Sequence, residues 1–375
     1  MIAKEVRDLA RLLVRHSTSL APGEKVLIEA TSVTPDVVQA LIQEATAAGA
    51  VPFVQLKENE ILREIYDCGS ADDVRSRITL MADVELHAMK QMNAYIGVRG
   101  NPNISEFAQI PQEKMKLYQD LLLKPVHFQW RVPKTKWVIL RWPTHSMAQE
   151  ARMSTAAFEK FYYSVCLVDY EKMERAVAPL QALMERTDRV RILSPGTDLS
   201  FSIKSIPVIP CCGKSNIPDG ECFTAPVRDS VNGRVKFNTR TIYNGVQLSD
   251  VVLEYEAGRV VRESASDTAA LTRILDSDPG ARWLGEFSLA FNPYITFPMC
   301  DILFDEKIRG SLHMALGAAY EDADNGNRSS IHWDMVLLQD AGAGGGEVWF
   351  DERLVRKDGV FVLPELAALN PENLR

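Results

Sequence analysis

Two histidines lie near the C-terminus of this 375-residue chain, which contains six in all. His313 occurs in "GSLHMALG" and His332 in "SIHWDMVLL", where Asp334 follows two residues later. Apolar and polar residues alternate in both segments, as is typical of half-buried β-strands. Because side chains on a strand repeat every second residue, His332 and Asp334 point to the same face. Two imidazoles and a carboxylate can bind a metal ion, so these strands are a candidate metal site.

A histidine on a strand is more often a packing residue than a ligand, so acidic residues elsewhere must decide between the two interpretations. Glu221 follows a Pro-Asp-Gly turn in "NIPDGECFTAP", and Glu286 interrupts the apolar run of "WLGEFSLAFNP". Burying such a glutamate is costly unless it meets a cation or a hydrogen-bond donor. An outward-facing charge on an edge strand also fits Glu286. Glu306, in "ILFDEKIRG", fits a solvated acidic turn by its local sequence.

The first half of the chain alternates between predicted strands and helices. The strands are "EKVLIEA", "VPFVQL", "AYIGV" and "KWVILRW". Helices are predicted over residues 2–16, 35–48, 59–67 and 72–90, and after Ser154. This alternation indicates a mainly parallel sheet flanked by helices. No glycine-rich phosphate loop follows any of these strands, so a nucleotide-binding role has no support.

From about residue 188 the pattern changes to short alternating strands such as "RVRILS" and "LSFSI". Asn232-Gly233, Asn244-Gly245 and Asp358-Gly359 are hairpin signals, and a helix is predicted near 266–277. We therefore predict an α/β protein of two domains. Residues 1–187 form an N-terminal α/β domain with the parallel sheet. Residues 188–375 form a C-terminal α+β domain, rich in antiparallel strands, that carries the metal site.

The composition excludes several classes of protein. A hydrophobic fraction of 46% with 25% charged residues fits a soluble globular chain. A net charge of -8 gives no electrostatic reason to expect a nucleic-acid or anionic-membrane partner. The opening "MIAKEVRDLARLLVR" is amphipathic and does not have the pattern of a signal peptide, so we expect a cytoplasmic protein. The six cysteines are therefore expected to be free thiols, and the adjacent Cys211-Cys212 pair is given no metal role.

Five segments resemble, in order, the signature segments of the M29 metallo-aminopeptidase family, the thermophilic aminopeptidases. They are "ILRWPTHSMAQEARMSTAAFEKFYYSVCLVDY", "NIPDGECFTAPVRDSVNG", "GEFSLAFNP", "ILFDEKIRGSLHMALGAAY" and "NRSSIHWDM". The resemblance covers most of the chain. It implies a two-domain enzyme, usually a homodimer, that hydrolyses peptides with a free N-terminus and holds two divalent metal ions in its second domain.

The resemblance also implies roles for particular residues. Tyr320 matches the catalytic tyrosine of the family. The implied metal ligands are Glu221, Glu286, Glu306, His313, His332 and Asp334. Two features depart from the family pattern. The 19-residue interval from His313 to His332 is short, which suggests a trimmed loop, and Glu306 precedes His313 by seven residues, which leaves the Glu306 assignment open.

The chemistry of this donor set is consistent with two metal ions. Six oxygen and nitrogen donors exceed the three that one catalytic zinc takes from a protein, but they suit two ions sharing a carboxylate. Four carboxylates repel one another strongly, and two divalent ions supply four compensating charges. Without sulfur in the set, zinc, cobalt, manganese and magnesium are all admissible.

The expected mechanism begins with a metal-bridging water of lowered pKa, which attacks the carbonyl of the first peptide bond. One metal ion also binds the free α-amino group, which restricts cleavage to N-termini. Tyr320 donates a hydrogen bond to the oxyanion of the tetrahedral intermediate. By its local sequence alone, Tyr320 also fits a loop aromatic packed at a strand end.

Two alternatives remain open at this stage. Ring-cleaving dioxygenases of the dihydroxypyridine type resemble this family, and His313, His332 and Asp334 would form their single Fe(II) site. Glu221 and Glu286 argue against that alternative, because one Fe(II) ion has no use for their additional negative charge. The second alternative is a binding protein that keeps the scaffold but has lost turnover, although none of the ligand positions is degraded.

Overall fold

The computed structural model describes residues 2–243 and 245–375 and contains two compact units. Unit 1 comprises the residues up to Leu167 together with Gly213–Ile217. Unit 2 comprises Val168–Cys212 and Pro218–Arg375. The main division therefore lies after Leu167, whereas the sequence suggested residue 187. The difference arises because the helix at 170–185 packs against elements of unit 2.

The helices follow from local signals such as Pro35 at a first helical position and Gly49, with a φ of 79°, just beyond a helix end. Two segments are π-helical, Leu12–Ser17 and Gln119–Arg131. The α-helices are α1 (Lys4–Arg11), α2 (Pro35–Ala47), α3 (Asn59–Asp67), α4 (Ala71–Met89), α5 (Gln112–Tyr118), α6 (Val132–Lys134), α7 (His145–Glu150), α8 (Thr155–Cys166), α9 (Tyr170–Glu185), α10 (Thr268–Leu275), α11 (Ile302–Asp305) and α12 (Pro371–Leu374).

The first four strands of unit 1 are each seven residues long, and those of unit 2 range from two to seven residues. In chain order they are β1 (Lys25–Thr31), β2 (Val51–Lys57), β3 (Ala94–Gly100), β4 (Lys136–Trp142), β5 (Arg189–Ser194), β6 (Thr197–Ser202), β7 (Ile209–Cys211), β8 (Asn216–Ile217), β9 (Glu221–Thr224), β10 (Asn232–Lys236), β11 (Thr241–Tyr243), β12 (Val246–Leu248), β13 (Val252–Glu256), β14 (Arg259–Ser264), β15 (Leu284–Ala290), β16 (Ser311–Gly317), β17 (His332–Leu338), β18 (Glu347–Phe350), β19 (Arg353–Lys357) and β20 (Val360–Phe361).

The sheets confirm the predicted fold class. In unit 1 a five-stranded sheet has the order β2-β1-β3-β4-β8, and every pair in it is parallel. In unit 2 an eight-stranded sheet has the order β14-β13-β10-β6-β5-β18-β19-β20. A second sheet of unit 2, β17-β16-β15-β9-β7, is antiparallel throughout. All residues of β9, β15 and β16, the three inner strands of that sheet, are buried, so the sheet provides a well-packed platform.

The hairpin predictions had different outcomes. Asp358-Gly359 does connect β19 to β20, with positive φ at both residues. β11 and β12 pair around Asn244-Gly245, but Asn244 lies outside the described residues. The Asn232-Gly233 prediction was wrong, because both residues lie inside β10 and pair with β6. A Cβ atom on Gly233 would lie 2.2 Å from the carbonyl oxygen of Asp198, so this glycine permits close strand approach.

Two further expectations concern the chain as a whole. All six cysteines, which lie in the described part of the chain, have free thiols. Among the described residues, no helix combines the length and the apolar character that a membrane span requires.

Candidate metal centre

One face of the antiparallel sheet in unit 2 brings the predicted ligands together. Residues directly paired across neighbouring strands point to the same face. Glu286 on β15 pairs with Ala315 on β16, and Ala315 pairs with Asp334 on β17. Gly317 pairs with His332 in the same way. Small residues thus occupy β16 between acidic and imidazole side chains, which leaves open the space above the sheet.

A β-bulge in β15 directs Glu286 to this face. Leu284 pairs with Leu316, but Glu286 pairs with Ala315, so Gly285 is an extra residue in the strand. In a regular strand Leu284 and Glu286 would point to the same face, whereas the bulge places them on opposite faces. A Cβ atom on Gly285 would lie 2.3 Å from the carbonyl oxygen of Ala318, so the bulge requires glycine. This bulge was not predicted, although a glycine inside a strand often marks one.

Glu286 lies between the two imidazoles and is only 3% exposed. Its Oε1 is 3.1 Å from Nε2 of His313, and its Oε2 is 3.4 Å from Nε2 of His332. Nε2 of His313 is also 3.2 Å from Glu221 Oε2, and Nε2 of His332 is 3.5 Å from Asp334 Oδ1. One carboxylate therefore serves both histidines, while each histidine has a further carboxylate of its own.

The other ring nitrogens fix how the imidazoles are oriented. Nδ1 of His313 is 3.1 Å from the carbonyl oxygen of Glu306, and Nδ1 of His332 is 2.8 Å from that of Ala318. A carbonyl oxygen only accepts, so each Nδ1 carries the proton that it donates. Each Nε2 then faces carboxylate oxygens, which also only accept. Within the described residues, Nε2 of His332 is buried without any hydrogen-bond partner.

This arrangement fits bound cations. Histidine ligands of metals typically donate their other ring N–H to a carbonyl or carboxylate. Donors that surround one tetrahedral ion at 2.0–2.2 Å are separated by roughly 3.3–3.6 Å, close to the distances described above. Donor atoms within 4.8 Å of one another form four groups in this region: Glu221, Glu286 and His313; Glu286, His332 and Asp334; Glu306, His313 and Asp334; and Cys211, Asp219 and Glu221. All six predicted ligand residues are thus brought together.

The electrostatics of the cluster lead to the same conclusion. Burial alone would lower the pKa of His313, but Glu221 and Glu286 outweigh it and raise that pKa to about 10. Burial would raise the pKa of Glu286, but hydrogen bonds with the two histidines lower it to about 2. Burial raises the pKa of Glu306 to about 8 despite the neighbouring Lys307. Without metal ions the cluster holds protons, which bound cations would displace.

Tyr320 lies at the edge of this cluster, three residues beyond the end of β16. Its ring centroid is 4.5 Å from that of His332 and 5.8 Å from that of Phe223. The side chain is half-exposed. His332 lowers the pKa of Tyr320, but burial of the hydroxyl and the nearby carboxylates outweigh this effect and raise it above its ordinary value. The hydroxyl therefore keeps its proton at neutral pH and can donate a hydrogen bond.

Three residues of the site were missed at the sequence level. Lys307 is 1% exposed, and its ammonium group contacts Glu221 Oε1, lies 2.8 Å from Glu306 Oε1 and lies 3.6 Å from Asp219 Oδ1. The hydroxyl of Ser288 donates to Glu221 Oε2 at 2.8 Å. Ser288 could have been identified from its position, because it lies two residues after Glu286 in the same strand and so points to the same face. Lys307 and Asp219 resembled charges in turns.

Unit 1 contains a fifth group of possible ligands among the described residues, Glu29, Glu85 and His127. Here Lys57 lies between the two carboxylates, 3.0 Å from Glu29 and 2.8 Å from Glu85. Nδ1 of His127 accepts a hydrogen bond from Nε of Arg131 at 3.1 Å. The polar atoms of this group thus have partners within the protein, and nothing about it calls for a metal ion.

Comparisons with known proteins agree with this geometry. The profile of the thermophilic metalloprotease (M29) family matches residues 2–359. Aminopeptidase PepS of Streptococcus thermophilus is 24% identical over 89% of this chain and 92% of its own. The structure of wild-type AmpT from Thermus thermophilus has a TM-score of 0.82 at 22% identity, covering 96% of this chain and 99% of that one. The structure of 2,5-dihydroxypyridine dioxygenase from Pseudomonas putida has a TM-score of 0.64 at 15% identity, covering 98% of this chain and 99% of that one.

Proposed function

The chain is a metallo-aminopeptidase of the M29 family of thermophilic metalloproteases, and we propose that it removes N-terminal residues from peptides at the cluster around Glu286. The observation that carries this proposal is that Glu286 lies between two imidazoles, 3.1 Å and 3.4 Å from their Nε2 atoms. Each imidazole is fixed by a backbone carbonyl, so both direct Nε2 at carboxylates, a position that holds either a proton or a cation. Histidine ligands of metal ions are typically oriented in this way.

Two divalent ions would share this donor set. Glu221, Glu286 and His313 would hold one ion, and Glu286, His332 and Asp334 the other. Glu306 reaches the same region through its group with His313 and Asp334, which supports its assignment as a further ligand. Oxygen and nitrogen donors accept zinc, cobalt, manganese or magnesium. When bound, such ions activate water, polarise a peptide carbonyl and bind a free amino group, which would limit cleavage to N-termini.

The side chains around the donor set would do the remaining work. Tyr320 keeps its proton and lies beside His332, so its hydroxyl is available to donate to the oxyanion that forms during peptide hydrolysis. The strand platform under the ligands, whose three inner strands are buried, would keep their positions fixed during the reaction. The homodimer inferred from the family resemblance remains a prediction, which light scattering on the purified protein would test.

Metal content and peptide hydrolysis test the proposal together. We expect two divalent ions per chain by elemental analysis. The protein should cleave aminoacyl-p-nitroanilides, lose this activity with a chelator and regain it with zinc, cobalt or manganese. The N-acetylated substrates, which lack a free amino group, are the matched control and should not be cleaved. Failure to cleave any member of the panel with any of these metals would contradict the proposal.

The dioxygenase alternative deserves a direct test because the two folds are similar along nearly their whole lengths. A single Fe(II) ion at His313, His332 and Asp334 would leave Glu286 without a metal ion of its own, and Glu221 with only the ammonium group of Lys307. In the structure Glu286 lies between the two histidines, which favours two ions over one. One iron per chain, with oxygen consumption on addition of a dihydroxypyridine, would establish the alternative.

A further inference from the structure

Lys307 is a charged residue in the metal centre to which the proposed mechanism assigns no role. It follows Glu306, and its side chain is 1% exposed. Its ammonium group contacts Glu221 and lies 2.8 Å from Glu306 and 3.6 Å from Asp219. Its backbone is also fixed, because its N–H donates to Phe304 and its carbonyl accepts from Asn292. A lysine so completely enclosed by carboxylates is held in a single position.

The ammonium group meets both glutamates through their Oε1 atoms. On Glu221 it takes Oε1, while Oε2 accepts from Ser288 and lies 3.2 Å from Nε2 of His313. On Glu306 it again takes Oε1. Lys307 and Ser288 therefore fix the rotation of the Glu221 carboxylate, so that a single oxygen atom is directed at the imidazole of His313.

The charges of the centre are consistent with a permanent role for this ammonium group. Five carboxylates lie in the region, those of Asp219, Glu221, Glu286, Glu306 and Asp334. If all are ionised, two divalent ions compensate four of their charges, and Lys307 compensates the fifth. The charge of Lys307 thus brings the net charge of a two-ion centre to zero. The ammonium group also occupies the position at which the carboxylates would otherwise attract a third cation.

We propose that Lys307 is a positioning residue that orients Glu221 and Glu306 as one-oxygen ligands of the ion on the His313 side. This inference rests on the proposed two-ion function. Because Lys307 contacts neither His332 nor Asp334 at salt-bridge distance in the described structure, its effect should be selective for one ion. Loss of a residue that orients a ligand typically weakens metal binding by about 10- to 100-fold.

The test compares Lys307→Met with Lys57→Met. Lys57 is the matched control, because it also lies between two buried glutamates but belongs to unit 1. Ion-free proteins are titrated with Zn²⁺ by calorimetry and with Co²⁺ by visible absorption. In Lys307→Met we expect one Zn²⁺ ion to bind about 10- to 100-fold more weakly than in wild type. With two equivalents of Co²⁺ added, the visible absorption bands of cobalt at that position should be absent. The other ion should bind as in wild type, and Lys57→Met should bind both.

Three outcomes would overturn the inference. The first is binding of both ions by Lys307→Met with wild-type affinity. The second is tighter metal binding by Lys307→Met, which would show that the lysine only competes with the metal ions. The third is an equal loss of metal affinity in Lys57→Met. If Lys307→Met does not fold, Lys307→Gln is titrated in the same way. In ¹⁵N-lysine spectra of the wild type, the Lys307 ammonium protons should also be protected from exchange with and without Zn²⁺; rapid exchange contradicts the inference. If wild type itself fails to bind two ions, the proposed function fails instead.

Discussion

Two buried clusters in this protein contain the same residue types but differ in how their carboxylate charges are balanced. In unit 1, Lys57 lies between Glu29 and Glu85, and further donors complete the set. The hydroxyl of Tyr95 donates to Glu29 at 2.9 Å, and the amide of Gln55 donates to Glu85 at 3.2 Å. Its carboxylates thus receive hydrogen bonds from protein groups. This cluster is an internally satisfied ion network.

The unit 2 cluster also has a lysine between two glutamates, Lys307 between Glu221 and Glu306, but acceptors outnumber donors there. The histidines show the difference. Burial lowers the pKa of His127 in unit 1 to about 3, whereas carboxylates outweigh burial and raise that of His313 in unit 2 to about 10. A set of glutamates and a histidine therefore indicates a metal site only when the protein supplies too few hydrogen-bond donors for the acceptor atoms of the set.

The largest expected effect comes from removing the shared carboxylate. Glu286→Gln should reduce peptide hydrolysis to the level of the metal-free protein, because both donor groups lose a charged ligand. The measurement is kcat together with metal content. Glu85→Gln is the control in unit 1 and should keep both metal ions and activity. Equal metal loss in the two variants would remove the distinction between the clusters.

Removing one tyrosine hydroxyl from each unit gives the next largest effect. Tyr320→Phe should lower kcat by about 10²- to 10³-fold, as expected for a lost oxyanion donor, with unchanged metal content. Tyr95→Phe removes a donor to Glu29 and should cost about 1.5–3 kcal/mol of stability, with unchanged kcat. Unchanged turnover in Tyr320→Phe would exclude this tyrosine from the mechanism.

Acid should destabilise unit 1 through His127, whose pKa in the folded protein, about 3, lies below the ordinary value of 6.5. Above pH 6.5 the imidazole is neutral in both folded and unfolded chains, so its contribution to stability is fully present. As the pH falls, only the unfolded chain takes up the proton, and stability falls by about 1.4 kcal/mol per pH unit. At pH 5 the loss should reach about 2 kcal/mol.

His127→Gln keeps an acceptor for Arg131 and should remove this pH dependence. The free energy of urea unfolding is measured for both proteins, with chelator, at pH 7 and pH 5. Glu29, with a pKa of about 2, contributes a loss of stability only below pH 4.5, so it does not interfere. The same pH dependence in both proteins would show that His127 is not the responsible group.

The smallest predicted effect comes from Ser288, which holds the second oxygen of Glu221. Ser288→Ala should weaken the binding of the ion on the His313 side by about tenfold, the lower end of the range for residues that orient metal ligands. Gln55→Ala removes the corresponding donor to Glu85 in unit 1 and should leave metal binding unchanged. Calorimetric titration with Zn²⁺ distinguishes these outcomes.

Much of the fold followed from the sequence because its signals are local. Four of the five strands of the parallel sheet were marked by apolar runs, and helix α2 by Pro35 and Gly49 at its two ends, whereas the short β8 was not predicted. The Asn232-Gly233 prediction failed because a glycine that admits a neighbouring strand has the same sequence signal as one that makes a turn.

The candidate site was predictable as a set of residue types, and family resemblance joined segments that periodicity alone could not bring together. Burial could not be predicted, because it depends on tertiary packing. The segment "FDEK" contains three consecutive charged residues that suit a solvated turn, yet Lys307 is enclosed. The bulge at Gly285 was also hidden, because strand register is set by pairing with β16.

The position of Glu286 between two imidazoles has a consequence for how the protein responds to metal supply. Two ions that share one ligand cannot bind independently, since binding of the first ion changes the charge and the mobility of the carboxylate that the second ion requires. The resulting coupling energy is reciprocal, so each ion changes the affinity for the other by the same factor. Catalytic output plotted against free metal concentration should therefore depart from a simple hyperbola, with a Hill coefficient different from one.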